Sequence, residues 1–291
     1  MAKLVSPLRY PGGKADLCFY IEKFIDENQL EGCHIIEPYA GSAIISLDML
    51  SRGKASKATL VEKDPLIYAF WHSVFWDTER LLAEIQRLDI SVETWRNFQQ
   101  YRKVENFDEC SILEMGIAGL FFNRTNFSGI LKANPIGGMS QESKYSIDCR
   151  FNKERICKLI QDISYLRDRV TILHGDALEI LENEISLRRG NTFFYVDPPY
   201  YAKGKSLYRY WHEREDHEKL ANILKRFKKP WLLSYDEHPE IIKLYKSKIR
   251  NQEHIHLDYH ISGYQKRHPE ILFSNRIIPP WTIRKLNEES S

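Results

Sequence analysis

A hydrophobic run that stops at two prolines constrains this chain more than any other feature. Residues 193–196 are aromatic or β-branched and predict a short buried strand. Asp197, Pro198, Pro199 and Tyr200 follow, and the prolines end the strand because they lack the N–H of the next ladder bond. Open α/β sheets bind ligands at the carboxyl ends of their strands. The run therefore predicts an α/β fold with a binding site at Asp197.

The residues after this strand combine hydrogen-bond acceptors with an aromatic face. The Asp197 carboxylate and the Pro198 carbonyl can accept from an exocyclic amine, and Tyr200 can stack on a planar base. An Asp-Pro pair is also a common start of an ordinary turn, so this alternative stays open on the motif alone. The rest of the chain has to decide between the two.

Composition narrows the class of protein without selecting a partner. The chain has 291 residues, 43% of them hydrophobic and 28% charged, which suits one large soluble domain or a domain with an insertion. A net charge of +2 does not by itself indicate nucleic acid. Basic clusters occur at residues 225–229 and 243–250, and solvated helix faces explain them equally well.

The five cysteines are scattered and include no Cys-x-x-Cys pair. They favour neither a disulfide framework nor a zinc site, and we expect no metal. No apolar run approaches the ~18 residues of a membrane span, and the N-terminus has no signal-peptide pattern. We therefore expect a cytoplasmic protein with no membrane partner.

Two turns in the first third of the chain could face a ligand. Residues 10–13, Tyr-Pro-Gly-Gly, predict a turn with free backbone N–H groups, and Lys14 adds a positive charge before a helix. The spacing of a phosphate-binding P-loop is absent, and a common surface turn is the alternative. A predicted strand at residues 34–36 then meets the small-residue turn at residues 37–43, which would let a ligand approach a helix N-terminus.

The second predicted strand, residues 58–62, ends in an acid. Glu62 at a strand tip can bind the two hydroxyls of a ribose, and Asp64 is a second candidate. An exposed strand-end carboxylate without a ligand is the alternative. Strand–helix alternation of this kind predicts a parallel sheet.

From residue 74 to residue 150 amphipathic helices interrupt this alternation and predict an inserted, mainly helical subdomain. It ends in a segment, residues 121–132, where aromatic, amide and basic side chains alternate. Such side chains suit nucleic acid, with Arg for base edges and Phe for stacking or wedging. A loop packed against its own domain is the alternative.

Alternation then resumes, with strands predicted at residues 170–173, 193–196 and 231–235. An antiparallel pair, residues 254–260 and 271–274, follows, and residues 263–267 join it. We expect residues 201–211 to form a mobile loop over the site. The predicted division is a catalytic core of residues 1–73 and 151–285, an inserted target-recognition domain of residues 74–150, and a polar tail of residues 286–291.

The order of these segments resembles the Dam-like N6-adenine DNA methyltransferases, from about residue 6 to residue 280. The resemblance rests on Arg-Tyr-Pro-Gly-Gly-Lys at residues 9–14, Glu-Pro-Tyr-Ala-Gly-Ser-Ala at residues 37–43, and Asp-Pro-Pro-Tyr at residues 197–200. Asn123-Arg124, Ser128-Gly129 and Leu-Leu-Ser-Tyr at residues 232–235 add to it. It implies a Rossmann-like, seven-stranded methyltransferase core, S-adenosyl-L-methionine as cofactor and double-stranded DNA as partner.

The resemblance also implies roles for individual residues. The cofactor would be bound by Tyr10, Lys14, Glu37, Pro38, Gly41, Glu62, Asp176 and Asp197. The flipped adenine would be held by Asp197, Pro198, Pro199 and Tyr200. DNA would be read or wedged by Arg124, Phe127, Ser128, Ile130 and Lys132.

Four residues depart from the family pattern. Tyr10 stands where Dam enzymes often have Trp, and Ala43 stands where a Gly is usual. Ser128 and Lys132 stand where the best-known members have Asn and Arg. Because Lys cannot make the bidentate fork of Arg to guanine, the family's best-known recognition sequence does not carry over.

The expected activity is methyl transfer from S-adenosylmethionine to N6 of an adenine that has left the base stack. No covalent nucleophile is needed, because two fixed acceptors polarise the amine and alignment supplies much of the rest. The alternatives are an RNA adenine, cytosine N4, and a DNA-binding regulator without catalysis. We expect a monomer, and a cognate restriction endonuclease would act separately.

Overall fold

The computed structural model describes residues 5–9, 14–104, 107, 110–184, 190–246, 248–261 and 264–281. Seven strands of these residues form one sheet in the order β3-β2-β1-β4-β5-β7-β6. Strands β1 to β5 are parallel to their neighbours among these five, and β7 runs antiparallel to both β5 and β6. The strands are β1 (Cys33–Glu37), β2 (Ala55–Glu62), β3 (Val170–His174), β4 (Thr192–Val196), β5 (Trp231–Asp236), β6 (Asn251–Ile261) and β7 (Tyr264–Ser274). The expected Rossmann-like, seven-stranded α/β core is confirmed.

The described helices flank this sheet and fill the connections. They are α1 (Cys18–Glu27), α2 (Ile44–Ser51), α3 (Pro65–Trp76), α4 (Thr78–Arg87), α5 (Val92–Phe98), α6 (Ile112–Thr125), α7 (Lys153–Ser164), α8 (Ala177–Glu184), α9 (Gly204–Leu207), α10 (Arg214–Leu224) and α11 (Pro239–Lys246). Short 3₁₀ turns cover Lys14–Leu17, Gln99–Lys103, Phe127–Gly129 and Arg167–Arg169. Within the described part of the chain, no helix has both the length and the apolar character to cross a bilayer.

Strand β4 lies at the point where the strand order reverses. It pairs with β1 on one side and β5 on the other, and all five of its residues are buried. Ligands bind in the crevice that such a reversal opens at the carboxyl ends of the strands. Asp197 follows β4 directly and Glu37 ends β1, so both carboxylates reach this crevice.

Successive residues of β4 point to opposite faces of the sheet, and each face has its own hydrophobic core. Phe193 packs with the core that helices α1, α2, α3 and α6 cover, where its ring centroid lies 5.2 Å from that of Phe24. Phe194 packs with the core under α8, α10 and α11, where its ring meets that of Phe227 at 4.7 Å. A continuous apolar strand is what burial on both faces requires.

Helix α6 lies directly against α3, and two glycines permit the close approach. A Cβ at Gly116 would lie 2.8 Å from the carbonyl oxygen of Ala69. A Cβ at Gly119 would clash more severely with the carbonyl oxygen of Leu66. Helix α3 itself continues to Trp76, past the predicted boundary at residue 74, and α4 begins at Thr78. The division into a core and an inserted domain stays a prediction.

Two connections differ from expectation. Residues 264–267 were predicted to join the antiparallel pair, but β7 already begins at Tyr264, which pairs with Ile261. Backbone hydrogen bonds between antiparallel strands do not depend on apolar side chains. Strands β6 and β7 therefore extend into polar residues, where the hydrophobic pattern of the sequence no longer indicates a strand. The predicted loop at residues 201–211 contains the short helix α9.

Candidate functional site

Asp197 is held through one of its two carboxylate oxygens. The Ser234 hydroxyl donates to Oδ1 at 2.7 Å, and the Lys14 ammonium lies 3.3 Å from the same oxygen. The side chain stays 24% exposed, toward the cleft. Burial raises the pKa of Asp197 to about 6, the nearby Lys14 opposes that rise and the charge of Glu270 adds to it. The carboxylate is anchored on one side and accessible on the other.

Lys14 lies in a buried ion pair with Glu270, a residue of β7. Its Nζ is 2.7 Å from Oε1 and 2.9 Å from Oε2 of that carboxylate. The Tyr200 hydroxyl also donates to Oε1, at 2.8 Å, and Lys14 Nζ lies 5.1 Å from the centre of the Tyr200 ring. The N-terminal turn, strand β7 and the Asp-Pro-Pro-Tyr segment therefore meet at one buried carboxylate.

The backbone after this segment is also fixed. Asp236, the last residue of β5, accepts from the Tyr201 N–H at 2.9 Å and from the Ala202 N–H at 3.4 Å. Pro198 is buried and Pro199 lines the cleft. Sequence reasoning missed both Asp236 and Glu270. The available signal for Asp236 was an acid at the end of a buried strand, the same pattern that identified Glu62 and Asp197.

A cleft opens beside Asp197 along the carboxyl ends of β1, β2 and β4. Glu62 Oε2 accepts from the Gly41 N–H at 3.0 Å, and Oε1 accepts from the Asp64 N–H at 2.8 Å. The indole of Trp71 donates to the Gly41 carbonyl at 2.8 Å, so the turn is held from both sides. Burial raises the pKa of Glu62 to about 7 and the charge of Asp64 adds to this effect.

Glu37, at the end of β1, accepts a hydrogen bond from the first turn of helix α2. Its Oε1 accepts from the Ser46 N–H at 2.5 Å, and burial raises its pKa to about 8. Ala43 precedes α2 in the left-handed conformation, with φ of 50°. A glycine adopts this conformation without strain, whereas a Cβ costs about 1–2 kcal/mol. The Ala at the usual glycine position therefore introduces local strain.

Asp176 lies at the far end of the cleft, after β3. Its Oδ2 is 2.6 Å from the Lys63 ammonium and its Oδ1 accepts from the Leu178 N–H at 2.8 Å. Partial burial disfavours the charged carboxylate, but these hydrogen bonds outweigh it and lower the pKa of Asp176 below its usual value. Tyr10 lies outside the described residues. The other predicted cofactor residues all belong to this cleft or its floor: Lys14, Glu37, Pro38, Gly41, Glu62, Asp176 and Asp197.

Residues 201–212, called the lid here, cross over this cleft. Arg209 Nη1 lies 2.7 Å from Asp64 Oδ1, and Nη2 donates to the Arg102 carbonyl at 2.7 Å. Both members of the Arg209–Asp64 pair are nearly buried, at 11% and 9% exposure. Lys132 Nζ donates to the carbonyls of Tyr208, at 2.8 Å, and Lys205. The lid is thus fastened to the cofactor side and to the segment predicted to read DNA.

The five predicted DNA-contacting residues occupy one stretch, from Arg124 in the last turn of α6 to Lys132. Phe127 is 57% exposed, Lys132 is exposed, and Arg124, Ser128 and Ile130 are half-buried. Burial, together with the charges of neighbouring arginines, lowers the pKa of Arg124 to about 10.

This stretch packs on the N-terminal segment. The side chain of Asn123 accepts from the Arg9 N–H at 2.7 Å and donates to the Arg9 carbonyl at 2.6 Å. A Cβ at Gly129 would lie 2.7 Å from the same carbonyl oxygen. Phe127 therefore projects from an anchored turn, and a position in the hydrophobic core is excluded for it.

The family model described as D12 class N6 adenine-specific DNA methyltransferase matches residues 10–261. No curated protein matched the chain in sequence.

Several solved structures are similar at low identity. A candidate RNA methyltransferase from Pyrococcus horikoshii has 11% identity and a TM-score of 0.44, covering 93% of this chain and 87% of that one. A candidate methyltransferase from Escherichia coli has 13% identity and a TM-score of 0.36, covering 93% and 91%. A SAM-dependent methyltransferase from Agrobacterium tumefaciens has 10% identity and a TM-score of 0.39, covering 90% and 61%. These similarities are too low to bear on the substrate.

Proposed function

Because the chain belongs to the D12 class of N6 adenine-specific DNA methyltransferases, we propose that it methylates N6 of an adenine flipped out of double-stranded DNA. As a methyltransferase of this family it uses S-adenosylmethionine, whose methyl group is bound to a sulfonium sulfur that leaves as a neutral thioether. One observation carries the choice of acceptor atom. Asp197 presents an anchored but accessible carboxylate beside Tyr200, at the mouth of the cleft that Glu37, Glu62 and Asp176 line.

The Asp197 carboxylate suits an amine that is a poor nucleophile. The nitrogen lone pair of adenine N6 is delocalised into the ring, and acceptors for its N–H groups favour a more tetrahedral nitrogen. Among the described residues, Ser234 and Lys14 both approach Oδ1, so Oδ2 is the oxygen available to an incoming amine. The Pro198 carbonyl is the second proposed acceptor. Preorganised acceptors of this kind need no rearrangement during the reaction.

The remaining cleft residues fit the cofactor by their chemistry. Carboxylates such as Glu62 and Asp176 have acceptor sites for ribose hydroxyls and for an adenine amine beyond their present backbone partners. The N–H groups at the start of α2 and the fixed turn at Gly41 allow close approach of a ligand to the backbone. We assign these residues, with Lys14, Glu37 and Pro38, to the cofactor.

The exposed ring of Phe127 suits a wedge that occupies the gap left by a flipped base. Removing a base from the stack costs a few kcal/mol, which stacking and insertion offset. Arg124, Ser128, Ile130 and Lys132 share the same stretch, and we assign contacts with DNA to all five residues.

The acceptor class is tested with labelled S-adenosylmethionine. The purified protein is incubated with unmethylated genomic DNA and, separately, with unmodified RNA of matched base composition. Incorporation into DNA at least roughly tenfold above RNA is expected. Label in RNA alone would replace the proposed substrate. Label in neither, with the cofactor still bound, would indicate a DNA-binding regulator or another acceptor.

A further inference from the structure

Glu270 lies in direct contact with two residues of the proposed active site, although no sequence motif includes it. We propose that Glu270 is a positioning residue, which draws Lys14 away from Asp197 so that the Asp197 carboxylate stays available to the target amine. The inference rests on the proposed function, because it concerns how the acceptor amine is received. Strand β7, through Glu270, would then position Lys14 relative to Asp197, which the Asp-Pro-Pro-Tyr segment cannot do alone.

The apolar surroundings of Glu270 make a buried carboxylate at this position unfavourable for the stability of the fold. It is 1% exposed and is followed in β7 by Ile271, Leu272 and Phe273, none of which reaches solvent. Burying a carboxylate in such a strand destabilises the fold unless it is paired and hydrogen-bonded. Replacing a buried ion pair with hydrophobic residues of similar volume often leaves a protein as stable or makes it more stable. A buried charge at this place therefore indicates a role other than stability.

The distances show how one ammonium group is shared between two carboxylates. Lys14 Nζ lies 2.7 Å and 2.9 Å from the Glu270 oxygens but 3.3 Å from Asp197 Oδ1. Glu270 is thus the closer partner, and Asp197 receives Lys14 as a weaker, second contact. Without the charge of Glu270, Lys14 would move toward Asp197 and compete with the target amine for its oxygens.

The charges of these three groups also favour the reaction. One ammonium and two ionised carboxylates leave the cluster with one net negative charge. When the C–S bond breaks, its electron pair stays on the sulfur of S-adenosylhomocysteine, and the nitrogen lone pair forms the N–C bond. The acceptor nitrogen then carries positive charge until its proton passes to solvent water. Buried negative charge next to that nitrogen stabilises the charge as it develops.

The same carboxylate orients the aromatic ring that is proposed to stack on the base. Tyr200 donates its hydroxyl to Glu270 Oε1 at 2.8 Å, on the oxygen that also receives Lys14. Loss of this acceptor would free the ring as well as the ammonium group. Glu270 therefore couples the stacking residue to the acceptor carboxylate.

A pH profile separates this role from a purely structural one. Burial raises the pKa of Asp197 to about 6, Lys14 lowers it and Glu270 raises it further. Neutralising Glu270 should therefore lower the pKa of Asp197 and move the acid limb of the rate profile to lower pH. The titratable groups facing Asp197 are Lys14, Glu37, Tyr195, Tyr208, Tyr235 and Glu270. Those facing Glu270 are Lys14, Tyr195, Asp197, Tyr200 and Tyr208, and Asp236 lies opposite it on β5.

The test compares Glu270→Gln, which keeps the shape, with Glu270→Asp, which keeps the charge. For the Gln variant we expect kcat to fall at least ~10-fold, with KM for S-adenosylmethionine changed less than ~3-fold. Its acid limb should move down by roughly 1 pH unit. The Asp variant should keep the acid limb near the wild-type position, with a smaller loss of kcat.

Glu237→Gln is the matched control, since it removes an exposed carboxylate next to β5 and should leave both parameters unchanged. An unshifted acid limb with wild-type kcat in Glu270→Gln overturns the proposal, and so does an Asp variant that is more impaired than the Gln variant. If the Gln variant does not fold, the Asp variant decides, and an acid limb displaced from the wild-type position in that variant overturns the proposal. All variants are assayed on the acceptor that the wild-type enzyme methylates, so failure of DNA as acceptor contradicts the proposed function alone.

Discussion

Three carboxylates of the proposed site follow or end buried strands of the sheet. Asp197 follows β4, Glu62 ends β2 and Glu37 ends β1, and each lies in or under one cleft. Their surroundings differ in the number of hydrogen bonds and nearby charges, so burial raises their pKa values to different extents. Each carboxylate can therefore be tested separately.

Asp197→Asn replaces an acceptor-only carboxylate with an amide that presents an N–H donor to the target amine. We expect methyl transfer to fall at least ~10²-fold, because a preorganised acceptor is lost, while the affinity for S-adenosylhomocysteine changes little. Single-turnover rates and a cofactor titration measure the two effects. Asp162→Asn, on the exposed face of α7, is the control. A variant with near-full activity would remove Asp197 from the mechanism.

The raised pKa of Glu62 predicts that cofactor binding depends on pH. In the free protein its pKa is raised to about 7 by burial, so at pH 6 it is mostly protonated. Ribose hydroxyls donate to the ionised form, which lowers the pKa in the complex, and binding therefore releases a proton. Affinity for S-adenosylhomocysteine should rise about tenfold from pH 6 to pH 8, as measured by calorimetry. Glu62→Gln should bind more weakly and lose most of this slope, and an unchanged slope would contradict the assignment.

Phe127→Ala should impair base flipping more than cofactor binding. The ring is 57% exposed, so its removal costs little stability but takes away the proposed wedge. With 2-aminopurine at the target position, the fluorescence rise on binding should fall at least ~3-fold. Tyr165→Ala removes an aromatic ring that is 84% exposed in another region and should have no effect. Equal losses of flipping and cofactor affinity would contradict the wedge.

The site residues that the sequence predicted are those whose role follows from a local pattern. An acid after an apolar run, or glycines before a lysine, indicates a ligand site without any knowledge of distant contacts. Glu270 and Arg209 could not be found this way, because their partners Lys14 and Asp64 are 256 and 145 residues away. Only the folded sheet brings these partners together.

At the scale of elements, the contact between α3 and α6 joins the segment predicted as an insertion to the sheet. The two helices approach until the backbone of one meets the glycines of the other. The sequence predicted α6 within the helical segment that begins at residue 74, but it assigned no helix to residues 65–73, which form most of α3. Periodicity also does not show which helix surfaces meet. The predicted boundary at residue 74 therefore falls inside α3, two residues before its end.

Gly119→Ala tests this contact. An added Cβ would clash with the Leu66 carbonyl, and neither backbone can move without displacing its helix. We expect the free energy of unfolding to fall by about 2 kcal/mol, even though Ala favours a helix by up to about 1 kcal/mol over Gly. Urea denaturation measures the change. Gly175→Ala, whose Cβ would lie 3.6 Å from Ile180 Cδ1, should change stability by less than about 1 kcal/mol. Equal effects would mean that α3 and α6 are not so closely packed.

In the whole molecule, parts of the chain that are far apart in sequence meet in the proposed active site, where the order of the strands reverses. The N-terminal segment contributes Lys14, the middle contributes Asp197 and Tyr200, and the antiparallel end contributes Glu270. Strand alternation and an antiparallel final pair predicted this sheet. No hydrophobic pattern in the sequence indicated the full length of β7 or helix α9 in the lid, and only the structure shows them.

The proposed reaction transfers the methyl group to adenine N6 in DNA. The most direct measurement digests DNA treated with deuterated-methyl S-adenosylmethionine and separates the nucleosides by mass spectrometry. Label in N6-methyl-2′-deoxyadenosine is predicted for the wild type and should be lost in Asp197→Asn. Label in N4-methyl-2′-deoxycytidine instead, or in N6-methyl-2′-deoxyadenosine with undiminished yield in the variant, would contradict the account.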